Sequence, residues 1–261
     1  MCRGSVQERR AARRPFVEEL ERQLAAYVGT RFAVALNSGT DALRLGMLAL
    51  GIGPGDEVIT PPNSFVASTG TIAEAGARPV FADVGPDQNI DPAAVAAAVT
   101  PRTRAIVAVH LTGRVCDMAA LKALAGRHGL ALIEDAAQAF GSRLHGRSAG
   151  GLGTIGCFSA HPLKNLNAGG DAGFVTTDDA EVAARLRRLR NHGLADRNTS
   201  LHWAGVSRIN ALDAALLLMR LPRLPSVVER RRRNAAAYRA ALAGSSVFVP
   251  PCRPGEFNTF H

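Results

Sequence analysis

Apolar positions along the chain follow two alternating periods. Phe16, Leu20, Leu24 and Val28 recur at helical spacing, which predicts an amphipathic helix over 16–28. Phe32 to Leu36 is a short unbroken apolar run, as in a buried strand, and Asn37-Ser38-Gly39-Thr40 breaks it. A helical pattern returns from Asp41 to Leu50 and stops at Gly51-Ile52-Gly53-Pro54-Gly55. Strand-like runs at 57–60, 79–83 and 105–110 are then each followed by a helical one, at 64–75, 92–99 and 118–128, before a further strand at 130–134. Past a glycine-rich turn near residue 150 come strands at 154–159 and 172–177 with an irregular stretch between them. A helix at 180–190 and a long helical region at 211–242, interrupted by Pro222 and Pro225, complete the pattern.

Strands alternating with helices imply an α/β fold with a mostly parallel central sheet and helices on both faces. The expected division is a large domain over 15–210, a long helix with the start of a small C-terminal domain over 211–261, and a basic tail over 1–14. In such sheets ligands bind beyond the carboxyl ends of the strands. The polar residues just after each apolar run are therefore the ones to examine.

Composition narrows the classes. With 261 residues, 47% hydrophobic and 20% charged, the chain can bury an ordinary core. The net charge of +9 is concentrated at Arg3–Arg14 and Arg230–Arg233. No aromatic residues interleave with those arginines and no nucleic-acid motif accompanies them, so they read as solvated surface charge and no nucleic-acid partner is expected. Cys2, Cys116, Cys157 and Cys252 lack metal-ligand spacing and are too few for a disulfide scaffold, so no metal is expected and a reducing cytoplasm fits. The first 14 residues lack the apolar stretch of a secretory signal, and no run is long enough to cross a membrane. Asn198-Thr199-Ser200 matches a glycosylation acceptor only by chance in that setting.

Three segments carry candidate chemistry. Ser38-Gly39-Thr40-Asp41 lies between a strand and a helix, where free N–H groups attract a phosphate; taken alone such a turn is more often just a helix cap. Asp135, in Glu134-Asp135-Ala136-Ala137-Gln138, follows a buried strand and can make a charged hydrogen bond to a ligand, or cap a helix. Lys164 follows the bend at Pro162 in the apolar, glycine-flanked stretch Phe158 to Leu166. A lysine in a desolvated pocket loses proton affinity and becomes a usable amine nucleophile. A phosphate turn, an acid and a lysine in that order match the needs of pyridoxal 5'-phosphate (PLP): a phosphate cradle, a partner for the ring nitrogen and a Schiff-base lysine.

These segments, with Gly51 to Ile59 and Arg190-Asn191-His192-Gly193, resemble the DegT/DnrJ/EryC1/StrS family, the sugar-aminotransferase branch of the fold-type I PLP enzymes. The similarity extends over nearly everything from Phe16 onward. It implies a fold-type I large domain, with the small C-terminal domain largely missing. It also implies roles: Lys164 as the Schiff-base lysine and proton shuttle, Asp135 holding the ring nitrogen protonated, Gln138 near the ring O3', Phe65 stacked on the ring, and Ser38, Gly39, Thr40 and Ser159 at the phosphate. The implied reaction moves an amino group, from glutamate, to a keto-sugar linked to a nucleotide, in a homodimer. The branch of the family that is a PLP dehydratase has histidine in place of the lysine, and here Lys164 is intact. A non-catalytic or regulatory PLP-binding paralogue, or a truncated inactive fragment of such an enzyme, is the alternative. Two departures stand out. Residues 1–14 do not look like the family's N-terminal stretch, and the family's Gly-x-Asn-x-Arg element reads Gly205-Val206-Ser207-Arg208-Ile209-Asn210.

Overall fold

Residues 14–250 and 252–261 are described by the structure, a computed structural model. The basic tail expected at the N-terminus therefore lies, except for Arg14, outside the described residues.

Eight helices and ten strands are found among the described residues. The helices are α1 (Arg14–Val28), α2 (Gly39–Ala49), α3 (Val66–Glu74), α4 (Pro92–Ala98), α5 (Met118–His128), α6 (Ala180–Leu189), α7 (Ala211–Arg220) and α8 (Leu224–Ala241). The strands are β1 (Phe32–Leu36), β2 (Glu57–Thr60), β3 (Arg78–Phe81), β4 (Thr103–Val109), β5 (Ala131–Asp135), β6 (Arg143–Leu144), β7 (Arg147–Ser148), β8 (Ile155–Ser159), β9 (Gly173–Thr177) and β10 (Glu256–Phe257). Several helices begin where a short polar side chain takes up a free N–H of the first turn. Asp91, Asp117, Asp179 and Asn210 cap α4, α5, α6 and α7 in this way.

The central sheet has seven strands in the order β1-β9-β8-β5-β4-β2-β3. Pairing is parallel from β8 to β3, and β9 runs antiparallel to both of its neighbours. The mostly parallel sheet expected from the sequence is present, with one reversed strand. Side chains alternate between its faces. Ala33, Ala35, Ile106 and Ala108 join Leu20, Leu24, Phe158 and Phe174 in one buried cluster. Val34, Leu36, Ala105 and Val107 join Met47, Ile72 and Ile133 in the other. Ala214 and Leu217 of α7, and Leu224 and Val228 of α8, belong to the first cluster.

Element ends shift locally. The helix expected from Ser64 starts at Val66, because Phe65 is extended (φ −62°, ψ 144°). The helical region expected over 211–242 divides at Leu221–Arg223, a single 3-10 turn holding Pro222. Proline has no N–H for the helical ladder, so α7 ends there and Pro225 opens α8. Beyond α8, β10 pairs antiparallel with β6, which also pairs with β7.

Candidate active site

Leu36, Gly173, Ser159, Asp135 and Val109 fall at one edge of the central sheet. The register pairs Leu36 and Ser159 with Gly173, Cys157 with Asp135, and Asp135 with Val109. That edge is the carboxyl end of the parallel strands, where the sequence placed the ligand.

Gly39 opens α2 directly against the end of β8. A Cβ there would lie 2.6 Å from Ser159 Cβ and 3.0 Å from both its Cα and its Oγ. A Cβ on Gly173 would likewise meet the Ser38 carbonyl at 2.3 Å. Two glycines thus let three chain segments converge around the first turn of α2. Ser38 Oγ accepts from the Asp41 N–H (3.0 Å), so its side chain caps the helix. Asn37 is fixed by Ser207, whose hydroxyl donates to Asn37 Oδ1 (2.9 Å). Thr40 is exposed and Ser159 half-buried, its Oγ accepting from the His161 N–H at 3.3 Å. The first N–H groups of a helix have no intrahelical acceptor and favour an anion. The cradle suits a phosphate.

Asp135 is buried at the end of β5. Its Oδ2 accepts from Ser68 Oγ (2.6 Å) and its Oδ1 from the Ala137 N–H (3.2 Å). Burial pushes the carboxyl up. The Ser68 and Ala137 hydrogen bonds, then the positive charge of Lys164, oppose that rise. Gln138 is half-buried, and its Oε1 accepts from the Thr112 N–H (2.6 Å), which leaves the amide NH2 free to donate. Phe65 is 72% exposed at the start of α3.

Lys164 is half-buried, and Nζ lies 3.5 Å from His261 Nε2. Burial lowers its proton affinity and the Arg231 charge lowers it further, while Asp135 works the other way. His261 is pushed down to about 4 by burial and by the charges of Lys164 and Arg231. The site therefore holds a carboxylate, an amine with weakened proton affinity and a neutral imidazole. With the phosphate cradle, this donor set fits PLP. Among the described residues no group of His, Cys, Asp or Glu could hold a metal ion.

Several site residues carry no mark in the sequence. His261 and Arg231 arrive through tertiary packing. Arg231 donates to the Phe260 carbonyl (3.3 Å) and Arg232 to the Asn258 carbonyl (2.8 Å), while Arg232 lies over the Phe257 ring at 4.1 Å. The arginine run at 230–233, expected to be solvated, in part clamps the segment that carries His261, because the chain folds back along α8. Glu134, beneath Asp135, accepts from His110 Nε2 (2.8 Å) and from the N–H groups of Gly150 (2.7 Å), Leu152 (2.7 Å) and Gly153 (2.6 Å). Asn210 is taken up as the cap of α7, its side chain accepting from the Leu212 N–H.

Comparison with known proteins bears on this geometry. The DegT/DnrJ/EryC1/StrS aminotransferase family matches residues 1–259, so the likeness starts before Phe16, where the motifs had placed it. A dTDP-3-amino-3,4,6-trideoxy-alpha-D-glucose transaminase of Streptomyces venezuelae is 46% identical over 249 residues, covering 95% of this chain and 66% of that protein. A crystal structure of S. venezuelae DesV in complex with a ketimine intermediate superposes with a TM-score of 0.91 at 44% identity, over 94% of this chain and 67% of the other. The PLP form of a putative sugar aminotransferase, Spr1654 from Streptococcus pneumoniae, gives a TM-score of 0.89 at 29% identity, over 94% and 69% of the two chains. The chain spans about two thirds of the length of these relatives.

Proposed function

Since this chain belongs to the DegT/DnrJ/EryC1/StrS aminotransferase family, we propose that it is a PLP-dependent enzyme that moves an amino group from glutamate to a keto-sugar carried on a nucleotide. One observation carries the reading most: half-buried Lys164, its Nζ 3.5 Å from His261 Nε2, shares one site with the buried Asp135, close enough for each charge to act on the other.

When bound, the cofactor supplies an electron sink and a carbonyl carbon that can carry the amino group. The first N–H groups of α2 at Gly39 and Thr40, with the Ser159 hydroxyl, would hold its phosphate, and Ser38 would shape that turn as its cap. Asp135 would keep a proton on the ring nitrogen through a charge-assisted hydrogen bond. The Gln138 amide, oriented by Thr112, would donate to the ring hydroxyl. Phe65 would cover one face of the ring. Lys164, free of a proton at lower pH than an exposed lysine, would hold the cofactor by its carbonyl carbon, with loss of water, until the donor's amine displaces it, and the freed amine would then move a proton at the reacting carbon.

The substrates follow from the relatives, whose names include transaminases of dTDP- and UDP-linked sugars. The protein is also read as a cytoplasmic homodimer. No helix among the described residues is long and apolar enough to cross a membrane. Leu212 and Met219, seven residues apart on α7, are 79% and 68% exposed, and such apolar side chains suit contact with a second copy. Leu217 of the same helix faces the core. The regulatory alternative does not call for a lysine amine of lowered proton affinity. Mixing the PLP-loaded protein with glutamate should produce 2-oxoglutarate in amounts equal to the cofactor. Adding a nucleotide-linked keto-sugar should then release the amino-sugar and allow turnover. Absence of 2-oxoglutarate from fully loaded protein overturns the reading.

A further inference from the structure

Ser68 stands in α3 beside Ser64, one helical turn earlier. A hydroxyl inside a helix commonly bonds back to the carbonyl four residues before it. Thr71 does so, donating to the Ala67 carbonyl at 2.7 Å. Ser68 does not: it is 1% exposed, and its hydroxyl reaches across to Asp135 Oδ2 at 2.6 Å.

The direction of these bonds is fixed by chemistry. An ionised carboxylate only accepts, so the single Ser68 proton goes to Asp135. The 2.7 Å contact between Ser64 and Ser68 hydroxyls must then use the Ser64 proton. A directed chain runs from half-buried Ser64 through Ser68 to the carboxylate. Phe65 sits directly after Ser64, in the turn that leads into α3. The chain therefore ties the turn that carries Phe65 to the carboxylate through two hydroxyls.

We propose that Ser68 is a positioning residue that holds the Asp135 carboxylate ionised and aimed at the cofactor's ring nitrogen, and that Ser64 orients Ser68 and so links the Phe65 turn to the same carboxylate. The proposal rests on Asp135 being the partner of that nitrogen. With Ser68 and the Ala137 N–H occupying one lone pair on each oxygen, Asp135 keeps further lone pairs for the ring. His110, Lys164 and Cys157 also face the carboxylate, and none of them is hydrogen-bonded to it through its side chain.

The test compares wild type with Ser68→Ala, Ser68→Thr, Ser64→Ala and Asp135→Asn, each loaded with PLP labelled with nitrogen-15 in the ring. The chemical shift of that nitrogen is followed against pH. PLP affinity is read from fluorescence, and apo stability from thermal melting. Ser68→Ala is expected to let the ring nitrogen lose its proton about one pH unit earlier and to weaken PLP binding about tenfold, the scale of one lost hydrogen bond to a charged group. Ser68→Thr restores both, and Ser64→Ala shifts both in the same direction, the titration by about half a pH unit and the affinity by about threefold. If Ser68→Ala fails to fold, Ser64→Ala carries the same reading alone. A wild-type nitrogen titration and affinity in both alanine variants overturns the proposal, whatever happens to the melting temperature. A wild-type titration in Asp135→Asn would instead overturn the assignment of Asp135 itself.

Discussion

Gly39 and Ser159 meet so closely that no side chain fits between them: a Cβ on Gly39 would stand 2.6 Å from Ser159 Cβ and 3.0 Å from Ser159 Cα. Both belong to backbone held elsewhere, Gly39 by the α2 helix and Ser159 by β8, so neither can simply step aside. Gly39→Ala is therefore expected to push the first turn of α2 away from β8. The cost should be about 1–3 kcal/mol of stability, as for an overpacked core. PLP affinity should fall more steeply than stability, because the displaced N–H groups would form the phosphate cradle. Urea unfolding and PLP titration check both. Wild-type affinity in this variant would show that the phosphate does not bind here.

Glu134 is the support beneath the candidate site. Its fully buried carboxylate takes four donors: His110 Nε2 and the N–H groups of Gly150, Leu152 and Gly153. The Cys116 N–H donates to His110 Nδ1 (3.2 Å), which assigns the ring proton to Nε2 and turns it to Glu134. Glu134→Ala strands all four donors and should cost about 3–5 kcal/mol in urea unfolding. Glu134→Gln keeps one good acceptor and should cost less. A loss below about 1 kcal/mol for the alanine variant would contradict this account of the hub.

The pH dependence of cofactor capture follows from Lys164. Burial and Arg231 hold its proton affinity below the ordinary lysine value of 10.5, so the folded apo protein binds fewer protons there than the unfolded chain. Stability contributed through this group is thus gained as pH rises from the folded value toward 10.5 and lost as pH falls back through it. The rate at which apo protein captures PLP should rise with pH about a midpoint below 10.5. Arg231→Met, which removes a neighbouring cation, should move that midpoint up, and Arg231→Lys should leave it near wild type. Asp135→Asn removes an opposing negative charge and should move it down. Stopped-flow absorbance measures all four. Unmoved midpoints in both charge-removing variants would show that the site's field does not set the amine.

Much of this was legible in the residues. The strand and helix alternation gave the sheet, because burial on both faces leaves continuous apolar runs such as Phe32–Leu36, and caps such as Asp117 and Asp179 mark helix starts locally. Asp135, Gly39 and Lys164 stood out because each falls just past a strand or in a bent loop. Ser68, Glu134, Arg231 and His261 did not. Their roles depend on partners 67, 16–24, 29 and 97 residues away, and no local period records such contacts. The reversal of β9 was hidden for the same reason, since a buried strand reads alike in either direction. Residues Glu256 to His261 gave no local sign that they return to the site, because what holds them there is the set of α8 arginines.

The central claim is that Lys164 is the residue that bonds the cofactor, and the chain carries its own control. It contains two lysines, Lys164 and Lys122, and the latter lies exposed on α5, far along the sequence from every other candidate residue except Asp135 and Gln138. Purified protein loaded with PLP, reduced with borohydride and digested should yield one phosphopyridoxyl peptide, the one containing Lys164. Label confined to the Lys122 peptide, or no label on a protein that still binds PLP, would contradict the account.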